Sequence, residues 1–330
     1  MMRSQTLTIG SCGRLTARSR RRWPIAAAVL ACCAIAAVPS TRAQTAPVVP
    51  QAAAAPNTSG ANLNITPRRV IFEGSKRTEA VYVFNQGSAA VTVDIALVDN
   101  FMLPSGEIVP VALAGDKGAA ATAPLSRLRS ARDLIIATPS RITLQPGKGK
   151  TIRLRASPPN ATGGPAEYRT HLTATTLPPP SSGVTVDAAA GNRGELAFTI
   201  NTVFGISIPL IVRPSGISAS ATFGPITLEH ATLPSAAGDA TRQVAVLAVP
   251  LRRTGAASIY GNVEIRSGTG KNSELIGLVR GIGVYPEVDV REARIPLTRE
   301  PRHGEALTIT FLSDNGKIAS ELARGSFIAP

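Results

Sequence analysis

The sequence has few cysteines and aromatic residues, and those it has are unevenly placed. Only 4% of its 330 residues are aromatic, and Cys12, Cys32 and Cys33 all lie near the N-terminus with Trp23, the single tryptophan. The three histidines are far apart and lack metal-ligand spacing. No nucleophile-elbow sequence is present either. We therefore expect no metal site, no thiol catalysis and no cofactor, and we predict that the protein is not an enzyme.

Acidic residues are absent from the first 43 positions, where seven of the 35 basic residues lie. A basic flank ending in Arg20-Arg21-Arg22 precedes an apolar run over residues 25–38. That run is too short for a membrane span, which needs about 20 residues. We predict that residues 1–43 are a secretory signal peptide cleaved after Ala43. Export by the general or by the twin-arginine route is left open, as is lipidation at Cys32.

Loss of the signal would change the charge balance. The formal net charge of +14 invites a nucleic-acid interpretation, but removal of seven arginines leaves 28 basic against 21 acidic residues, a net charge of +7. We therefore expect an exported protein that does not bind nucleic acid. Gln145–Thr151 contains a Gly-Lys-Thr triplet, but position 144 is Leu where a phosphate loop needs Gly. That segment is predicted to be a turn.

The rest of the chain shows no sustained helical periodicity. Residues 44–61 are Ala/Pro-rich and are predicted to form a disordered leader. Thr78–Asp99 reads as two alternating strands joined by a hairpin at Asn85–Ser88, and Arg141–Ala156 repeats that pattern. Further strands are predicted at 168–177, 194–212, 243–252, 258–266, 274–284, 287–297, 306–312 and 322–328. Short strands between turns favour β-sandwiches, with a domain boundary at Arg213–Gly216.

The strand that begins near Leu196 has an unusually long apolar face. Alternation places its even-numbered side chains on one side. They are Leu196, Phe198, Ile200, Thr202, Phe204, Ile206, Ile208 and Leu210. One interpretation is an ordinary sandwich strand with one buried face. The other is an edge that pairs with another chain and lends it apolar side chains.

Five segments, in this order, resemble the fimbrial (pilus) periplasmic chaperones, the PapD-like family. They are Ile65–Gly74, Thr78–Gln86, Pro139–Leu154, Glu167–Pro178 and Ile206–Pro214. The resemblance covers most of 62–214 and, more loosely, 215–330. It implies an all-β fold of two immunoglobulin-like β-sandwich domains at an angle, residues 62–213 and 214–330, with a cleft between them. It also implies a divergent chaperone that caps pilus subunits with a donated β-strand and passes them to an outer-membrane usher.

The resemblance assigns roles to individual residues. Arg69 matches the cleft arginine that grips the terminal carboxylate of a subunit. The family's second anchor, a lysine, falls on Pro209, which has neither charge nor N–H. The matched donor-strand residues, with the two that share their face, are Phe198, Ile200, Thr202, Phe204 and Ile206. The residues that match a bridge between the domains are Glu167, Arg213 and Asp314.

Two other classes stay open at this point. A structural pilus subunit or adhesin would also be exported and all-β, although an N-terminal donor extension and a disulfide would be typical of it. An exported β-sandwich with another binding function is the second alternative. The subunit bound and any self-association of the free form are not predicted by the sequence.

Overall fold

The computed structural model describes residues 62–159, 166–178, 203–234, 241–268, 270, 273–314 and 320–330. The predicted signal peptide and leader lie outside these residues. Strands dominate the described part, and they form two pairs of sheets. The prediction of an all-β chain of two sandwiches is therefore confirmed. Among the described residues, no helix combines the length and the hydropathy needed to span a bilayer.

The first sandwich uses strands that precede Pro214. The strands of this half are β1 (Leu63–Thr66), β2 (Val70–Glu73), β3 (Thr78–Asn85), β4 (Val91–Val98), β5 (Asn100–Met102), β6 (Ile108–Pro110), β7 (Ile135–Thr138), β8 (Arg141–Leu144), β9 (Gly149–Ala156), β10 (Tyr168–Thr176) and β11 (Gly205–Arg213). One sheet has the order β1-β3-β9-β7 and the other β2-β11-β10-β4-β8, while β5 and β6 form a separate hairpin. Among the described strands of these sheets, β2 and β11 pair in parallel and the other pairs are antiparallel.

The second sandwich uses the strands that follow Pro214. They are β12 (Ala219–Phe223), β13 (Thr227–Pro234), β14 (Thr241–Gly255), β15 (Ile259–Ser267), β16 (Glu274–Val284), β17 (Val290–Pro296), β18 (Ala306–Ser313) and β19 (Glu321–Ile328). In one sheet the long strand β14 pairs with β12, β13 and β17, and the other sheet has the order β16-β15-β18-β19. The described strands thus change from one sandwich to the other between β11 and β12.

Two-residue alternation explains why these segments bury one face. In β9, Ile152, Leu154 and Ala156 point into the core, whereas Arg153 and Arg155 are exposed. The same pattern in β3 buries Val81 and Val83. A strand that packs against the core on one face and is exposed to solvent on the other requires this alternation of apolar and polar side chains.

The two predicted hairpins are wrong. β3 pairs with β1 and β9, whereas β4 pairs with β8 and β10 in the opposite sheet. β8 and β9 are likewise in different sheets, so both connections cross the sandwich. The crossings support each other, because the N–H of Asn85 donates to the carbonyl of Lys148 and the N–H of Gly147 donates to the carbonyl of Asn85, each at 2.9 Å. Alternation reveals a strand but not its neighbour, since either partner buries the same face.

The structure also contains helices that the sequence did not indicate. They are the 3-10 helix Val111–Lys117, the α-helix α1 (Ala119–Arg127) and the 3-10 helix Arg132–Leu134. The nine residues of α1 are alanine-rich, and alanine has the highest helix propensity. Two and a half turns are too few to produce a detectable apolar period, and only Ala121 and Pro124 are buried.

Residues 99–131, which we call the insertion, lie between β4 and the second 3-10 helix and contact the second sandwich. Phe101, Leu103, Val109 and Ala121 form a small core of their own. Met102, only 1% exposed, packs instead in the core of the second sandwich. The N–H of Glu292 donates to the carbonyl of Pro104 at 3.0 Å. The insertion therefore fastens the two sandwiches to each other.

Candidate functional site

A cleft of about 670 Å³ lies between the two sandwiches. Strand β2 provides its first wall, because β2 buries Val70 and Phe72 and turns its alternate side chains outward. The second sandwich provides Tyr260 and Asp314. The residues that line the cleft are Pro67, Arg68, Arg69, Ile71, Glu73, Lys76, Arg213, Tyr260 and Asp314. Three of the four residues matched to anchoring or bridging roles thus border one cavity, and Glu167 is in contact with it through Arg213.

Arg69 lies immediately before β2, and its side chain is partly buried. Its Nη2 donates to Oγ of Ser258 at 2.8 Å, and its guanidinium carbon lies 4.8 Å from the centre of the Tyr260 ring. Its Nε is buried and has no hydrogen-bond partner among the described residues. Burial lowers the pKa of Arg69, with opposing contributions from Tyr285 and Glu167. Because arginine keeps its charge in proteins, this is a cation with unused hydrogen-bonding capacity beside a cleft.

Glu167 is buried directly behind the cleft. Its Oε2 accepts hydrogen bonds from the backbone N–H of Ser258 at 3.0 Å and from Oγ of Ser258 at 3.1 Å. Nη1 of Arg213 lies 3.8 Å from the same oxygen. Ser258, in the second sandwich, thus connects Glu167 and Arg69, which both belong to the first sandwich. No role was predicted for Ser258, although the segment around it belongs to the looser part of the resemblance.

The three residues matched to the bridge are only partly joined. Glu167 and Arg213 come together, but Arg213 makes its shorter contacts with Glu73, at 3.2 Å from Nε and 2.9 Å from Nη2 to Oε2. Glu73 lies directly opposite Arg213 in the parallel pair of β2 and β11. Within the described ranges, no ion pair joins Asp314 to Arg213. Asp314 lines the cleft and donates its backbone N–H to the carbonyl of Tyr260 at 3.1 Å.

In the described part of the long strand, the apolar side chains become more exposed from its C-terminal end toward its N-terminal end. Leu210 and Val212 are fully buried and Ile208 is 2% exposed, whereas Phe204, on the same side, is 42% exposed. Ile206 is partly buried at the margin of the core. Three of the residues matched to the donor strand, Phe198, Ile200 and Thr202, lie outside the described residues, as does the predicted strand before Val203.

One edge of this strand is unoccupied among the described residues. β10 pairs with β11 from Gly205 to Val212 on one side. On the other side, β2 pairs only with Leu210–Arg213, because β1 belongs to the opposite sheet and the chain reaches β2 only at Val70. The edge of Gly205–Pro209 that faces away from β10 therefore has no neighbouring strand among the described residues. Arg69 lies at the end of this open edge, where pairing with β2 begins.

A second buried polar cluster joins the sandwiches and was missed from the sequence. Nη2 of Arg169 donates to Oε1 of Glu287 at 2.6 Å, and their side chains are 2% and 3% exposed. The Arg169 guanidinium lies 3.9 Å from the centre of the Tyr285 ring and donates to Nε2 of His171 at 3.2 Å. Burial, with a smaller contribution from Arg169, lowers the pKa of His171 to about 3. The spacing of Glu167, Arg169 and His171 at alternate positions is the signal that could have indicated a buried polar face.

Comparisons with known proteins gave matches among solved structures only; no family model and no curated protein matches the chain. The YadV chaperone is 15% identical, with a TM-score of 0.38, over 81% of this chain and 99% of that one. The CupB2 chaperone of Pseudomonas aeruginosa is 14% identical, with a TM-score of 0.38, over 80% and 98%. The CsuC–CsuE chaperone–tip subunit pre-assembly complex, from the archaic chaperone-usher Csu pili of Acinetobacter baumannii, is 14% identical, with a TM-score of 0.37, over 80% and 99%.

Proposed function

We propose that this protein is a periplasmic chaperone that captures pilus subunits, donates a β-strand to their incomplete sandwich and passes them to an outer-membrane usher. The observation that carries the proposal is the open edge of β11, beside an apolar face that emerges from its own core. An unpaired edge with exposed apolar side chains is a site for adding a strand of another chain. The resemblance of the sequence to pilus chaperones supports a pilus subunit as that other chain.

The apolar face supports donation to a partner. Phe204 is far more exposed than Ile208, although both project from the same side of the strand. The predicted donor residues Phe198, Ile200 and Thr202 continue this series. Burial of four or five large apolar side chains in a partner would contribute on the order of 6–15 kcal/mol before the cost of ordering both chains. A subunit that lacks a strand exposes a complementary apolar groove, which makes it prone to aggregate until it is capped.

The charge beside the edge supports one direction for the captured chain. β2 runs parallel to β11 and begins to pair at Val70, so a second strand on Gly205–Pro209 would meet β2 end to end at Arg69. A strand parallel to β11 would bring its C-terminal carboxylate to the Arg69 guanidinium. An antiparallel strand would bring its N-terminal ammonium there instead, and two cations repel. Arginine suits the first arrangement because it binds carboxylates through charge-assisted hydrogen bonds.

The contacts between the sandwiches support a fixed cleft. We propose that Glu167 and Arg213, with Ser258 and Glu73, hold the angle between the domains, and that Asp314 contributes only as part of the cleft wall. A fixed angle would keep Arg69 in line with the open edge of β11.

The test is complex formation with a pilus subunit encoded beside the gene for this protein. Size-exclusion chromatography of the mixture should show a 1:1 complex. Phe204→Glu should prevent it, because a carboxylate would have to be buried in the groove of the subunit. Val203→Glu is the matched control, since Val203 is 52% exposed and neighbouring side chains alternate between the two sides of a strand. The proposal is refuted if no co-encoded subunit forms a complex, or if Phe204→Glu binds as the wild type does.

A further inference from the structure

The hydrogen bonds between β10 and β11 determine which backbone groups face the open edge. The N–H of Thr176 donates to the carbonyl of Phe204 at 2.8 Å, which makes these two residues a hydrogen-bonded pair. In antiparallel strands such pairs alternate with pairs whose backbone groups point away. The register between β10 and β11 is continuous from Gly205 to Val212. The N–H and C=O groups of even-numbered residues in β11 are therefore used by β10, and those of odd-numbered residues face the other edge.

Pro209 interrupts the odd-numbered series at the end of the open edge. Gly205 and Ser207 each offer an N–H and a carbonyl there, whereas Pro209 offers only a carbonyl. In a parallel pair, each residue that bonds to the neighbouring strand donates to one residue and accepts from the residue two positions further on. A captured residue opposite Ile206 could donate to Gly205 and accept from Ser207. A captured residue opposite Ile208 could donate to Ser207, but Pro209 has no N–H for its carbonyl.

We propose that Pro209 sets the register of the captured chain, so that its C-terminal residue lies opposite Ile208. This inference rests on the proposed function and adds to it the position at which the bound chain must end. A chain that continued past this point would leave a carbonyl without a donor at Pro209. It would also meet Arg69, because Val70 already pairs with Leu210 and the preceding residue occupies the next place along the edge. A chain that ends opposite Ile208 has its terminal carboxylate there, and this carboxylate accepts hydrogen bonds from the guanidinium of Arg69.

Proline in this place therefore selects for chains with a free end. A residue with an N–H at position 209 could donate a hydrogen bond either to an internal carbonyl or to a terminal carboxylate. Proline withholds that donor, so the Arg69 guanidinium is the remaining strong donor beside the end of the edge, and it favours a full negative charge. The ligand class is a polypeptide with a free C-terminal carboxylate and an extended terminal segment.

The first experiment uses the full protein and the co-encoded pilus subunit, with Pro209→Ala as the variant. Alanine restores an N–H at the open edge, and one more hydrogen bond should tighten binding about 2–10-fold in titration calorimetry. In hydrogen exchange followed by NMR, the amide of residue 209 should exchange rapidly in the free variant and slowly in the complex. Pro250→Ala is the matched control, because Pro250 is also a strand proline but lies in β14, where it pairs with Glu292. It should leave the affinity unchanged.

The second experiment keeps the wild-type protein and changes the subunit, so it does not depend on the folding of a variant. One glycine added to the C-terminus of the subunit should weaken binding at least 10-fold, because the added residue has no place before Arg69. Equal affinity for the natural and the extended subunit would overturn the inference. So would an unchanged affinity of Pro209→Ala together with an unprotected amide at residue 209. Absence of any complex with the natural subunit would instead refute the proposed function, and this inference with it.

Discussion

Arg69 is partly buried and has an incomplete set of hydrogen-bond partners among the described residues. Ser258 and the Tyr260 ring hold the side chain in place, but its Nε has no hydrogen-bond partner within the described residues. Its neighbour Arg68 lines the same cleft and is exposed to solvent. A cation that is already partly desolvated and oriented gains more from a carboxylate than a solvated one, because less water has to be removed on binding.

The prediction at this scale compares these two neighbours. Arg69→Ala should weaken the proposed capture of a pilus subunit by at least 1–2 kcal/mol, about 5–30-fold, because the proposed charge-assisted hydrogen bond to the terminal carboxylate would be lost. Arg68→Ala removes the same charge from the same cleft and should change the affinity much less. Titration calorimetry with both variants measures the difference. Equal losses would mean that only the summed charge of the cleft matters and that Arg69 has no specific role.

Strand β10 carries two faces of opposite character. Leu172 and Ala174 lie in the core of the first sandwich, whereas Arg169 and His171 point to the other side and are equally buried there. The ring of His171 accepts from Arg169 through Nε2, so it is held neutral beside a cation. Protonation would place two positive charges together in a site from which water is excluded, and this is why its pKa lies at about 3.

The prediction for this element is a loss of stability in mild acid. The pKa of His171 in the folded protein, about 3, is below the ordinary value of 6.5, so the unfolded chain binds more protons between these two values. The contribution of His171 is complete above pH 6.5 and decreases as the pH falls toward 3, by up to about 1.4 kcal/mol per pH unit. His171→Gln should reduce the slope of unfolding free energy against pH between 6 and 4, measured by urea denaturation.

A matched control for this prediction is His230→Gln. His230 is exposed, so its replacement measures how the loss of a histidine outside the buried cluster affects the slope. A slope in His171→Gln identical to that of the wild type would show that this histidine takes no part in the acid sensitivity.

At the scale of the whole molecule, the two sandwiches are joined by contacts of different kinds. Arg169 and Glu287 form a buried ion pair, whereas Arg127 of α1 and Asp289 form a bidentate pair, at 3.0 Å and 2.7 Å, that is about half exposed. Met102 adds an apolar contact in the second core. A buried charge that loses its partner is far more costly than an exposed one, because water cannot replace the lost interaction.

The prediction for the junction follows from this difference. Glu287→Ala leaves Arg169 buried without its carboxylate and should lower the free energy of unfolding by about 3–5 kcal/mol. Asp289→Ala removes a half-exposed carboxylate of the same junction, which also lies 3.8 Å from Nη2 of the buried Arg253, and should cost less than Glu287→Ala. The double variant Arg169→Met with Glu287→Leu should recover much of the loss, since an apolar pair leaves no unpaired charge. Similar costs for the two single variants, measured by urea denaturation, would contradict the buried role of Glu287.

The elements of the fold were largely predictable, but their neighbours were not. Apolar alternation located strands such as β9, β15 and β18 within a few residues, because alternation depends only on which side of a strand is buried. The same pattern could not distinguish a hairpin from a crossing between sheets, as β3 and β4 demonstrate. The helix α1 was missed because its nine residues are too few for a detectable apolar period and bury only Ala121 and Pro124.

The candidate site was predictable only where a residue has a place in a sequence motif. Arg69, Glu167 and Arg213 were indicated by the resemblance, and the structure brings all three to one junction. Ser258 and Glu73, which supply their hydrogen bonds, were not indicated, because each is an ordinary residue until a distant segment lies against it. Arg169 and Glu287 are 118 residues apart, and no local pattern relates one to the other.

The sequence by itself determined that this chain is all-β and which side of each strand is apolar. These properties depend on the order of side chains along the backbone, so they can be predicted without knowing which strands pair. Only the tertiary structure decided that β2 begins at Val70, so that Gly205–Pro209 has no partner on that edge among the described residues, and that Pro209 lies at the end of this open edge beside Arg69. Those facts depend on which strands pair, and pairing is decided when the whole chain buries its apolar faces and satisfies its backbone hydrogen bonds at once.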